Sequence, residues 1–134
     1  MNDLKQAQDF FAHDVYATDV TGVEITAVDE NYAKVELDID ERHINAAGNL
    51  MGGVLFTMAD FAFAAATNDP EHLCVTQSSQ ISYLSAVRGK HLIAEAHMLK
   101  EGGHTNYYQI DIRDELGTRV ATVITLGYKM YSRH

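Results

Sequence analysis

Residues 43–68 read HINAAGNLMGGVLFTMADFAFAAATN, and this stretch decides the fold. A polar loop carrying His43, Asn45 and Gly48 runs into the pair Gly52-Gly53. The longest apolar run of the chain follows, interrupted by one acid, Asp60. Between Val54 and Ala66 the apolar residues point in nearly every direction around a helical axis. This predicts a helix over about residues 52–68 that other structure encloses. The run is too short to span a bilayer, and it carries Asp60.

The flanks supply the wrapping. Upstream, Val23, Ile25 and Ala27 alternate with Glu24 and Thr26, and Asp29-Glu30-Asn31 makes a turn. Val35, Leu37 and Ile39 then face one way, with Lys34, Glu36, Asp38 and Asp40 opposite, as in a strand with one wet face. Before them, Leu4, Ala7, Phe10 and Phe11 predict a short amphipathic helix within residues 2–13, capped by Asn2 or Asp3, with the two phenylalanines packed inward. Downstream, Asp69-Pro70-Glu71 breaks the long helix. Cys74 to Leu84 reads as a strand polar on both faces (Thr76, Gln77, Ser78, Ser79, Gln80, Ser82), which suits an interface or a site. Three further strands follow: His91 to Lys100, one around Tyr108, Ile110 and Ile112, and Arg119 to Tyr128. Helix, two strands, long helix, four strands implies α+β: one antiparallel sheet curled around one helix, in a single domain over residues 1–134.

A chain of 134 residues with 46% hydrophobic and 22% charged residues is an ordinary globular domain. Its formal net charge of −9 argues against nucleic acid or an anionic membrane as partner. One cysteine, Cys74, excludes an internal disulfide, and the polar, acidic start MNDLKQAQDFF does not read as a secretory signal. A cytoplasmic protein is expected. The histidines show no metal-ligand spacing, so no metal is expected.

Asp60 and the glycine pair carry the chemistry. An acid in an apolar helix is either satisfied by a nearby donor or used as a base. Glycines at a helix start either permit a tight turn or bare the backbone N–H groups to an anion. Gly52 and Asp60 lie eight positions apart, roughly 12 Å along a helix axis. Joint action on one carbon needs both within about 3 Å. One helix cannot do this; two antiparallel copies across a two-fold axis can, so a shared site requires a dimer.

The pattern His43-x-Asn45-x-x-Gly48-x-x-x-Gly52-Gly53-x-x-Phe56-x-x-Ala59-Asp60 resembles the signature of the hot-dog-fold thioesterases, in their PaaI-like branch. The resemblance extends over nearly the whole chain, including Ile81-Ser82-Tyr83-Leu84-Ser85. It implies acyl-CoA thioester hydrolysis, with CoA as part of the substrate and no separate cofactor. It assigns Gly52 N–H to the thioester carbonyl, Asn45 to positioning the water or acyl group, Asp60 of the opposite subunit to base or nucleophile, and Thr76 to assisting the water. Gly53, Met51, His43, Phe56 and Tyr83 are the implied substrate contacts, and Arg88 and Lys90 the cations for CoA phosphates. His43 is read as shaping the loop more than as acting in catalysis. The homodimer would be the minimal active unit, with pairing into a homotetramer. One departure stands out: the family places His before the glycine pair, and here the residue is Met51. An acyl-CoA-binding protein with weak or no turnover is therefore the alternative. A hot-dog hydratase ranks last, because the chain lacks the close Asp and His pair which that class resembles.

Overall fold

The computed structural model describes residues 3–130. Asp3 caps the first helix, α1 (Leu4–Phe11), its carboxylate accepting from the N–H groups of Lys5 and Gln6; Asn2 lies outside the described residues. The strands are β1 (Glu24–Asp29), β2 (Tyr32–Asp38), β3 (Cys74–Tyr83), β4 (His91–Glu101), β5 (Thr105–Asp114) and β6 (Arg119–Lys129), and the long helix is α2 (Gly52–Thr67). All six strands pair antiparallel in one sheet, in the order β1-β2-β4-β5-β6-β3. This is the α+β arrangement, one antiparallel sheet wrapped on one long helix, that the hydrophobic patterning predicts.

Alternation fixes which face of the sheet meets the helix. Val35 and Leu37 of β2, Leu92, Ala94 and Ala96 of β4, Tyr108, Ile110 and Ile112 of β5, and Val123 of β6 are all buried. From α2 they receive Leu55, Met58, Ala59, Ala62 and Phe63, and the Phe63 ring meets Tyr108 edge-on at 5.4 Å. Phe11 closes the other end against Phe61 at 5.7 Å as a core residue, and Phe10, half-buried, stacks on it. Gly127 of β6 is obligatory here: a Cβ would fall within 3 Å of Phe63, Asn106 and Cys74.

Three features depart from expectation. First, α2 is not enclosed all round. Gly53 and Asp60 are exposed, and Phe56, Thr57 and Ala64 are half-buried. They recur at three- and four-residue steps and form one open stripe, because a single curved sheet covers only one side of a helix. Second, Tyr16–Thr21 forms a π-helical turn, ended by Gly22 at φ 91°. Third, Glu41–His43 forms one 3₁₀ turn capped by Asp40. Segments this short contain too few turns to write a periodic pattern. No described helix is long and apolar enough to cross a membrane.

Candidate functional site

The loop between β2 and α2 delivers Gly52, and His43 anchors it. His43 is 1% exposed. Its Nδ1 accepts from the Asp40 N–H at 2.9 Å, which leaves the ring proton on Nε2 to donate to the Thr21 carbonyl at 2.7 Å. The ring ties the loop to the π-helical turn. It is enclosed, and within one chain it anchors the loop and does not line the cleft. Beyond it, Ile44 and Leu50 bridge, and the Asn45 Oδ1 accepts from the N–H groups of Ala47 and Asn49. Asn45 thus folds its own loop first, leaving its Nδ2 for other work.

Helix α2 begins with Met51 as N-cap and no side chain capping it. The N–H groups of Gly52 and Gly53 have no hydrogen-bond partner among the described residues. They therefore present free donors at the positive end of a 16-residue helix. Met51 is 56% exposed beside them. A cleft of about 530 Å³ opens here, lined by Gly48, Asn49, Gly52, Leu55, Tyr83 and the connection after β3.

Asp114 and Glu115 hold that connection in place. Asp114, 1% exposed, accepts from the backbone N–H groups of Arg88, Gly89, Leu116 and Thr118. Glu115 accepts from Lys90 and His91. Arg88 and Lys90 contribute backbone here, and their side chains do not line the cleft. Burial alone would push the Asp114 carboxyl up, but the N–H groups of Arg88, Gly89 and Thr118 outweigh it and hold the pKa well below the usual range. Asp114→Asn turns a donor toward donors and is expected to cost on the order of 2 kcal/mol. A depressed folded-state pKa contributes stability above the unfolded value, about 3.9, that is lost as pH falls below it. Thermal unfolding from pH 7 down to pH 3 should show the variant losing less with acid than the parent.

The second group of candidate residues lies on the open stripe of α2. Asp60 borders a cleft of about 550 Å³ formed with Asp14, Tyr16, Ala17, Phe56 and Ala64. One side of the residue is open to solvent, while protein crowds its carboxyl from the Asp14 side. That desolvation raises the pKa and Asp14 adds to it; the hydrogen bond from Thr76 Oγ1, at 3.4 Å, opposes both. Thr76 and Asp60 thus meet within one chain, at the start of β3. Asp14 was not legible as a partner, because nothing in its spacing links it to residue 60.

The structure therefore makes two groupings: Gly52 with Gly53, Met51 and Tyr83 at one end of α2, and Asp60 with Thr76 and Phe56 further along it. The two groupings do not meet within one chain, as the spacing requires.

The thioesterase superfamily profile matches residues 47–121, which include both groupings. The acyl-coenzyme A thioesterase PaaI of Escherichia coli is 31% identical over 96 residues, 71% of this chain and 69% of that protein. A putative esterase of Archaeoglobus fulgidus is 33% identical over 102 residues, 75% of this chain. The chain spans 66% of that relative's own length. In three dimensions the solved Escherichia coli PaaI structure superposes with a TM-score of 0.82 at 26% identity, covering 97% of this chain and 98% of that one. The profile, the curated relatives and the superposition agree with the arrangement of strands around α2: the chain belongs to the thioesterase superfamily, in its hot-dog-fold, PaaI-like branch.

Proposed function

We propose that the protein is an acyl-CoA thioesterase whose site is completed by a second copy of the chain. The carrying observation is the separation of the free Gly52 N–H from Asp60 along one helix, with a route to join them. Among the described residues, strand β3 pairs only with β6 and leaves its other edge open. It is exposed along most of its length, and it carries both Thr76, which meets Asp60, and Tyr83, which lies over Gly52. Two copies pairing along this edge across a two-fold axis would extend the sheet and set their α2 helices antiparallel. Gly52 of one subunit would then approach Asp60 of the other.

In this reading the Gly52 N–H polarises the thioester carbonyl at the positive end of α2. Asp60 of the partner subunit takes a proton from water, whose oxygen attacks the carbonyl carbon. The tetrahedral intermediate collapses with loss of the CoA thiolate, which takes up a proton to leave as the thiol. Acid and CoA are the products. Thr76 orients the Asp60 carboxylate and the water, and Asn45 offers its Nδ2 to the acyl group or the water. Phe56 flanks an apolar acyl group, and Gly53 leaves open space for close approach. CoA enters as part of the substrate, and a cytoplasmic location suits it. Pairing of dimers into a homotetramer would complete the assembly. Hydrolysis of a panel of short-chain, medium-chain and aryl acyl-CoAs, followed by thiol release, tests the reading; release at the uncatalysed rate for all of them would refute it.

The pH profile carries its own prediction. A raised Asp60 pKa places the acid limb of kcat/KM above the ordinary aspartate value of about 3.9. Thr76→Ala removes the hydrogen bond that favours the ionised form, so the acid limb moves to higher pH. A limb that moves down or stays fixed would place Thr76 away from the working carboxylate.

One observation favours a second reading, an acyl-CoA binder with little turnover. Met51 stands exposed at the helix start with a side chain that can neither donate nor accept a proton there. That reading gains if saturable acyl-CoA binding accompanies background hydrolysis and Met51→His restores turnover.

A further inference from the structure

We propose that the Tyr83 hydroxyl is a second donor to the thioester carbonyl, working beside the Gly52 N–H. The inference rests on the thioesterase reading and adds a catalytic residue to it. Its basis is where the phenol sits. A Cβ built on Gly52 would lie 2.7 Å from Tyr83 Oη, 2.9 Å from Cζ and 3.1 Å from Cε1. The ring therefore lies directly over the first residue of α2, with its hydroxyl end closest. Gly52 is glycine for this reason: its φ is not in the left-handed region, and the space above its Cα is already taken.

The hydroxyl has no hydrogen-bond partner among the described residues. Tyr83 is 57% exposed and lines the same cleft as Gly52, Leu55 and the connection after β3. Two unspent donors of different kinds, a backbone N–H and a phenol O–H, thus stand at one mouth. The phenol's position is fixed from both sides. Its own strand is paired, with Tyr83 opposite Ala121 of β6, and the next residue donates its N–H to the Val120 carbonyl at 2.8 Å. A group held by a strand end on one side and a helix start on the other needs little reorganisation when charge develops on the oxygen. The neighbouring Met51 supplies no donor, so the second hydrogen bond to the carbonyl oxygen falls to Tyr83.

Tyr83→Phe keeps the ring over Gly52 and removes only the hydroxyl. Loss of one donor to a developing oxyanion costs on the order of 10² in kcat, so kcat should fall at least about tenfold with KM little changed. A second measurement separates this role from the hydrolase reading itself. Binding is compared for two CoA analogues, a ketone in which CH₂ replaces the thioester sulfur, and a thioether that has no carbonyl. The phenol role predicts that Tyr83→Phe weakens the ketone analogue severalfold and leaves the thioether unchanged, whether or not the protein turns over substrate. Equal weakening of both analogues, or of neither, would overturn it. So would a variant whose kcat stays within twofold of the parent. Background hydrolysis by the parent protein, with the analogue difference retained, would count against the thioesterase reading and support the phenol contact.

Discussion

Asp60→Asn is expected to lower kcat by roughly 10²–10⁴-fold, the range for removing a general base, with KM changed far less. The substitution is nearly isosteric. It keeps an oxygen for Thr76 to donate to and removes only the capacity to take a proton. The fold should survive it, because the carboxylate is crowded by protein and faced by Asp14, and both effects disfavour its charge. The linkage has a definite sign. A folded-state pKa above the unfolded value means that the native state holds the proton longer. Parent stability should therefore fall as pH rises from about 4 through the raised value. The Asn variant lacks this term, so its Tm at pH 7 should equal or slightly exceed the parent's. A lower Tm together with unchanged kcat would make Asp60 a structural residue and sink the mechanism.

His43→Ala is expected to act on the fold and, through it, on the site. The ring is enclosed and satisfies two backbone groups from different segments, the Asp40 N–H and the Thr21 carbonyl. Removing it leaves both without a protein partner and opens a cavity, a loss on the order of 3 kcal/mol. At the size of this domain that corresponds to a Tm lower by about 10 °C. The loop that His43 anchors ends at Gly52, and the His43 carbonyl itself accepts the Met51 N–H at 2.8 Å. Turnover should therefore fall as well, at temperatures where the variant is still folded. Calorimetry read beside kcat separates the two effects. An unchanged Tm with lost activity would return His43 to the substrate.

His43 and Asp60 show how differently the two kinds of residue could be read. Asp60 was conspicuous because a lone acid in an apolar run violates the surrounding pattern. Its distance from Gly52 follows from helical rise alone, and the proposal of a site shared by two copies rests on that spacing. His43 belongs to the same polar loop and sits in the same motif, yet it is a buried tie. Sequence spacing does not reveal that its second partner is Thr21, 22 residues earlier. Arg88 and Lys90 were singled out by charge, and within one chain they lie outside the cleft's lining. Charge is visible in sequence, but it does not reveal that Asp114 and Glu115 accept from the backbone N–H groups of Arg88 and Lys90, 26 and 25 residues away.

Local patterning specifies the six strands with their inner faces and the two α-helices. Period-two alternation named the strands and their inner residues, and the apolar run named the helix that they wrap, because local periodicity is a property of neighbours along the chain. Which side of that helix stays open depends on packing. A six-stranded sheet is wide enough to cover one face, and the uncovered stripe falls where Gly53, Phe56, Asp60 and Ala64 line up. Packing also decided that β3, fifth from β1 in sheet order at the far edge, would bring Thr76 to Asp60 and Tyr83 over Gly52. Those meetings depend on how a strand crosses a helix, and a crossing is set by packing between distant segments, which no local pattern encodes.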